Sequence, residues 1–175
     1  MEKLKIQMEI VMGHTVTKDN YSMRILVLIC TIGMLISCNN SIVFEEYKNF
    51  ENQKWNSDSI ALFNCFVDDT TSKNIIKIKL RHSVDYEFQN LFIFIESEVK
   101  DTVELILANK EGMWLGKGIG DIREFEFEYN NSKLFSKKGN YSFKIEQAMR
   151  YGSHEKIQVL NNVLSLGLSI KKTNE

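Results

Sequence analysis

The sequence is unusual first for what it lacks. Its 175 residues include no proline, although about 5 % is typical of globular proteins. It has only three cysteines and a formal net charge of −1. From Cys38 onward, 18 Lys and Arg stand against 20 Asp and Glu, so there is no basic field to hold nucleic acid phosphates. Nucleic acid is therefore not an expected partner, and the length suits one ordinary domain.

An apolar stretch without charge lies at residues 25–36. Its twelve residues fall short of the roughly 20 that a membrane-spanning helix needs, but they suit the apolar region of a signal peptide. Arg24 precedes this stretch, and its end, Leu35–Cys38, resembles a bacterial lipobox. In such signals the cysteine receives a diacylglyceryl group and a peptidase cleaves just before it. We therefore predict a lipoprotein signal peptide over 23–37 and lipidation of Cys38.

The position of the signal peptide determines which cysteines remain in the mature protein. Starting at Met23 gives a compact signal of fifteen residues, so residues 1–22 are predicted to be a misassigned upstream extension. Cys30 would be removed with the signal. Cys65 is then the only cysteine that is neither removed nor lipidated, so no internal disulfide can form. Because Cys65 lies in an apolar stretch, we predict that it is a core residue and not a nucleophile.

The rest of the chain alternates between apolar and polar residues at a period of two, which is typical of strands with one buried face. Turn-like clusters of Asp, Asn, Gly and Lys separate these runs, and no long helical period follows the signal. We expect residues 91–95 to form a strand buried on both faces and 146–150 to form one helical turn. The expected strands, about eight, centre on 42–47, 60–67, 76–80, 91–95, 103–107, 125–129, 141–145 and 164–170.

This pattern predicts an all-β fold, an antiparallel β-sandwich of the jelly-roll type. Many short strands without crossover helices leave few other arrangements. The predicted organisation is a lipidated tether and first strand over 38–50, followed by the sandwich domain over 51–175. We see no internal repeat and no linker between domains.

The segment Gly112–Asp121 contains three evenly spaced glycines. It lacks the Ser or Thr of a P-loop and the following helix of a dinucleotide fingerprint. The favoured interpretation is a bulged strand or a close backbone approach, where glycine relieves crowding. The alternative is a ligand-binding edge, with Trp114 as a stacking platform and Lys117 and Asp121 as polar contacts.

No catalytic constellation is visible in the sequence. After Cys38 the only histidines are His82 and His154, and neither has a partner at the spacing of a zinc site. The adjacent Asp68 and Asp69 are most simply turn residues, since a calcium site needs more oxygen ligands. We therefore predict that the protein is not an enzyme and has no metal site and no cofactor.

Several segments resemble the GldH family of gliding-motility lipoproteins from the Bacteroidetes. The resemblance implies a lipid-anchored protein that supports gliding motility, the linked type IX protein secretion, or both, by binding other envelope proteins. The chain departs from the family in having no proline, and Lys137 and Lys138 occupy a turn that usually carries one. The residues that resemble the family are 67–73, 80–82, 86, 90–95, 101–102, 107–108, 112–121, 139–150 and 163–172.

The expected location is the outer membrane, facing the periplasm. Asn39 after Cys38 favours the outer membrane by the enterobacterial sorting rule, and no acidic cluster that would favour surface export follows. An alternative function is glycan binding by a β-sandwich lipoprotein, in which Trp55 and Trp114 would stack on sugar rings.

Overall fold

The computed structural model describes residues 24–25, 41–152 and 156–173. Cys38 and nearly all of the predicted signal and upstream extension lie outside these residues. In the described ranges, no helix is long and apolar enough to cross a membrane. Ten strands run through the described part of the chain: β1 (Ile42–Asn49), β2 (Lys54–Asn56), β3 (Ala61–Val67), β4 (Asn74–Ser83), β5 (Asn90–Glu96), β6 (Lys100–Ile106), β7 (Ile122–Lys133), β8 (Gly139–Gln147), β9 (Val159–Asn161) and β10 (Val163–Lys172).

Eight of these strands form two four-stranded antiparallel sheets that pack face to face. The strand orders are β1-β10-β4-β7 and β3-β8-β5-β6, and β2 pairs with β9 in a separate two-stranded ribbon. The predicted all-β sandwich is therefore confirmed. The ribbon was not expected, because strands of three residues are too short to show an alternation.

The core follows directly from the period-two pattern. In β3, four alternate residues point inward and are almost fully buried, while Leu62 and Phe66 on the other face are exposed. Cys65 is one of the four inward residues and is 2 % exposed, which confirms its predicted place in the core, and its burial raises the pKa of its thiol. The inward residues of β3 are Ala61, Phe63, Cys65 and Val67.

Two expectations were wrong. β5 is buried on one face only, since Phe94 is exposed and Phe92 half-exposed on the side away from the partner sheet. A strand within a two-layer sandwich meets the other sheet on one side, so a run of apolar residues does not ensure burial on both. Residues 146–150 form no helical turn: β8 continues to Gln147 and pairs with β5, and irregular chain follows.

The sandwich has two ends with different residues. The near end, where β1 begins, holds the loops 68–73, 97–99 and 134–138 together with the end of β10. Strand pairings of Ile42 with Lys171 and of Asn74 with Lys133 bring these segments together. The far end holds the β2–β9 ribbon and the connections 84–89 and 107–121.

Asp69 organises the turn at the near end. Its carboxylate forms an ion pair with Lys172 at 2.6 Å and accepts hydrogen bonds from the backbone N–H groups and hydroxyls of Thr71 and Ser72. Lys172 and these hydrogen bonds hold the pKa of Asp69 well below its usual range. The predicted turn role is confirmed, and the turn ties the β3–β4 connection to the end of β10.

Candidate functional site

The candidate segment crosses the far end and folds back onto β7. It is held by backbone hydrogen bonds from Leu115 N–H to Leu107 O and, in both directions, between Lys117 and Glu124. Single antiparallel bridges join Ala108 to Trp114 and Lys117 to Glu124. The segment is therefore an ordered hairpin extension of β7 and not a loose loop.

Two of its glycines are required by close backbone contact. A Cβ atom added at Gly116 would lie 2.8 Å from the carbonyl oxygen of Glu124. One added at Gly118 would lie 1.9 Å from the carbonyl oxygen of Ile122. Gly120 has a different role, because it turns the hairpin with a φ of +63° and has open space around it. The close backbone approach predicted from the glycine spacing is therefore present.

Trp114 covers a buried histidine. Its ring is half-buried and meets His82 edge to face, with ring centroids 4.6 Å apart at an interplanar angle of 61°. His82 also contacts Tyr86, whose pKa is raised by burial. The aromatic contacts continue from Tyr86 through Phe88 to the exposed Tyr151. The Trp114 ring therefore already packs against His82. The ligand-binding interpretation required this same ring to stack on a ligand.

His82 is fully buried, and one of its nitrogens has no partner. Its Nδ1 lies 2.8 Å from the carbonyl oxygen of Ser83, whereas Nε2 has no hydrogen-bond partner. Burial lowers the pKa of His82, and the positive charge of Arg123 acts in the same direction. A neutral imidazole with Nδ1–H donating to Ser83 suits this environment, because a second proton would leave a buried charged donor unsatisfied.

This burial predicts a pH dependence of stability. The folded pKa of His82 is below its unfolded value of about 6.5. Between the two values the unfolded chain binds more protons, so the free energy of unfolding falls as the pH falls below about 6.5. We expect His82 to contribute a slope of at most about 1.4 kcal/mol per pH unit, and we expect that contribution to disappear in His82→Phe. Urea unfolding of both proteins across this range measures it, and equal slopes would contradict it.

The structure does not bring the three candidate binding residues together. The side chains of Lys117 and Asp121 are exposed, and the backbone carbonyl of Asp121 accepts a hydrogen bond from Val84 N–H. Over residues 41–152 and 156–173, no hydrogen bond or ion pair joins the side chains of Trp114, Lys117 and Asp121 to one another. Whether they bind a ligand therefore stays a prediction.

Sequence reasoning missed the apolar surface of the same segment. Four large apolar side chains between residues 113 and 122 are exposed, and Ile119 at the hairpin tip is 95 % exposed. An apolar residue beside turn glycines, with no alternation to bury it, was the available signal. Clustered exposed apolar side chains are typical of protein-binding surfaces. The four are Met113, Leu115, Ile119 and Ile122.

Trp55 is not available as a sugar-stacking platform, contrary to the glycan-binding alternative. It is 0 % exposed, stacks on Phe50 at a centroid distance of 4.6 Å, and donates its Nε1–H to Ser59 O at 3.0 Å. An indole inside the core cannot meet a sugar ring. Among the described residues, no group of three or more His, Cys, Asp or Glu is placed to hold a metal ion.

Comparison with known proteins identifies the family. The model of the GldH lipoprotein family matches residues 42–170, which run from the start of β1 almost to the end of β10. The chain belongs to the GldH lipoprotein family. It is 31 % identical over 157 residues to the gliding motility lipoprotein GldH homolog of Christiangramia forsetii, covering 86 % of this chain and 96 % of that protein.

A second member is the gliding motility lipoprotein GldH of Flavobacterium johnsoniae. It is 32 % identical over 153 residues, covering 83 % of this chain and 94 % of that protein. Among solved structures, a Tobacco streak virus coat protein covers 80 % of this chain and 91 % of its own, at 9 % identity and a TM-score of 0.26. That likeness is too weak to carry an argument. The family match spans the whole sandwich, including the His82–Trp114 contact and the hairpin.

Proposed function

We propose that this GldH-family protein is anchored to the cell envelope by lipid on Cys38 and supports gliding motility and type IX protein secretion by binding other envelope proteins. Its expected place is the periplasmic face of the outer membrane. Family membership supports the motility role, since both relatives are named gliding motility lipoproteins. The observation that carries the binding role is the exposed apolar hairpin at the far end.

The hairpin suits a protein partner better than a small ligand. Ile119, Met113 and Leu115 present apolar surface that stays in contact with water in the isolated protein. The backbone beneath them is held by paired hydrogen bonds between Lys117 and Glu124, so binding costs little ordering entropy. Lys117 and Asp121 would then supply polar contacts at the rim of an apolar centre. Such a surface needs no catalytic group.

The decisive experiment is an in-frame deletion in the native host. It would be complemented with wild type, Cys38→Ala or Ile119→Lys, and scored by mass spectrometry of secreted proteins beside colony spreading. We expect wild type to restore both readouts. Cys38→Ala should restore neither, because the protein loses its anchor, and Ile119→Lys should lose most activity because a charge enters the apolar surface.

The matched control is Leu62→Lys, which places the same charge on an exposed apolar residue on the outer face of β3 and not on the hairpin. It should complement as wild type does. Full complementation by Ile119→Lys at normal protein level would remove the hairpin as the binding surface. Normal secretion and spreading in the deletion strain would contradict the machinery role.

A further inference from the structure

We propose that the near end of the sandwich docks on an anionic phospholipid bilayer, so that the protein stands on its membrane with the far end pointing away. The inference rests on the proposed lipid anchor at Cys38. It adds an orientation and a binding surface of the folded domain itself, which lipidation alone does not provide. Three observations support it: the length of the tether, the charge of the two ends, and the exposed apolar residues of the near end.

The tether is too short to let the domain tumble freely. Only Asn39 and Asn40 separate Cys38 from Ser41. The carbonyl oxygen of Ser41 accepts a hydrogen bond from Lys172 N–H at 2.7 Å, so Ser41 is fixed to the end of β10. Three Cα–Cα steps of 3.8 Å span at most about 11 Å. A lipid on Cys38 therefore holds the start of the sandwich within about 11 Å of the residue that carries the anchor.

The two ends differ in charge, and the near end is the positive one. Its segments 67–74, 96–100, 130–139 and 171–173 carry seven lysines and four acids. Segments 50–60, 84–89, 107–121, 148–152 and 156–162 at the far end carry five basic and six acidic residues. Basic residues close to an anionic bilayer are attracted to it, and the attraction fades within a Debye length.

The acids of the near end do not cancel this charge. Each is already paired with a lysine: Asp68 with Lys138, Asp69 with Lys172, Glu96 with Lys100, and Glu98 with Lys133. By number, the lysines of these segments still exceed the acids by three, and Lys137 is exposed. The net positive charge therefore belongs to the folded end as a whole and does not depend on a single flexible side chain.

Exposed apolar side chains lie among these lysines. Val99, at the tip of the β5–β6 hairpin, is 67 % exposed, and three others in the near-end segments or beside them are about half exposed. Apolar side chains interleaved with lysines suit the boundary between headgroups and acyl chains, where the lysine stems also lie against apolar surface. The other three are Ile42, Phe66 and Leu134.

The test measures orientation on vesicles. Lipidated full-length protein would carry a fluorophore at Val99→Cys or at Ile119→Cys, since Cys65 is buried and Cys38 acylated. It would be reconstituted in phosphatidylcholine vesicles with or without phosphatidylglycerol, together with quencher-bearing lipids. We expect stronger quenching at Val99 than at Ile119, most of all with phosphatidylglycerol, and a loss of that excess when salt is raised to about 0.5 M.

Two matched double variants test whether docking depends on the lysines of the near end. Lys137→Gln with Lys138→Gln removes two near-end lysines and should lower the ratio of docked to undocked protein about thirtyfold. Lys54→Gln with Lys110→Gln removes two exposed far-end lysines and should leave the ratio unchanged. Equal effects of the two pairs would overturn the assignment of the near end as the membrane-binding surface.

The possible results distinguish a failure of the docking proposal from a failure of the proposed lipidation of Cys38. Mass spectrometry that finds no acyl chains on Cys38 would overturn both together. Acylated protein with equal quenching at Val99 and Ile119 would overturn only the docking. A Val99 position that is unquenched on vesicles but crosslinks to an envelope protein in cells would assign the near end to a protein partner instead of the bilayer.

Discussion

Replacing Trp55 with alanine is expected to lower the free energy of unfolding by about 3–5 kcal/mol, the range for a buried tryptophan. The side chain is 0 % exposed and lies on β2, and its stacking on Phe50 joins this strand to the end of β1. The substitution removes the largest side chain of the core and leaves Ser59 O without its donor. Urea unfolding followed by circular dichroism measures the loss.

Trp55→Phe is the matched control for this prediction. It keeps an aromatic ring against Phe50 but removes the Nε1–H that reaches Ser59 O. The expected loss is smaller, about 1–3 kcal/mol, from the lost hydrogen bond and a small cavity. If Trp55→Ala cost no more than Trp55→Phe, the volume of the indole would not be what holds the β2–β9 ribbon to the core.

Gly118→Ala is expected to disrupt the hairpin at the far end while the sandwich stays folded. The new Cβ would lie 1.9 Å from the carbonyl oxygen of Ile122, a backbone atom that cannot move without breaking the pairing of Lys117 with Glu124. We expect a loss of about 1–3 kcal/mol in the free energy of unfolding and faster amide exchange at Lys117 and Glu124. Complementation of the deletion strain should fall with it.

Gly120→Ala separates the steric clash from the cost of backbone conformation. Gly120 lies in the same hairpin with a φ of +63° and no atom within 4 Å of an added Cβ. Alanine there costs only the left-handed conformation, about 1 kcal/mol. Gly118→Ala with exchange and complementation no worse than Gly120→Ala would show that the close approach is not needed for binding.

The sequence predicted only part of the candidate site. The glycines at 116 and 118 indicated close backbone contact, because no other residue leaves room for a carbonyl oxygen at that distance. The burial of His82 under Trp114 was not readable, since the two residues are 32 positions apart and meet only when β4 and the hairpin pack together. The exposure of Ile119 had only a weak signal, its place beside turn glycines, because an apolar residue in a turn is buried or exposed according to which segment packs against it.

The sequence by itself determined the eight long strands, the buried faces of those that alternate, and the core position of Cys65, because the pleat alternates side chains whatever the neighbouring strand is. It also determined the family, through segments spread over the whole sandwich. Only the tertiary structure decided which strands are neighbours, that Trp55 is enclosed, and that seven lysines from four separate segments share one end. These three features depend on contacts between residues far apart in the chain, and the local period of the sequence does not indicate such contacts.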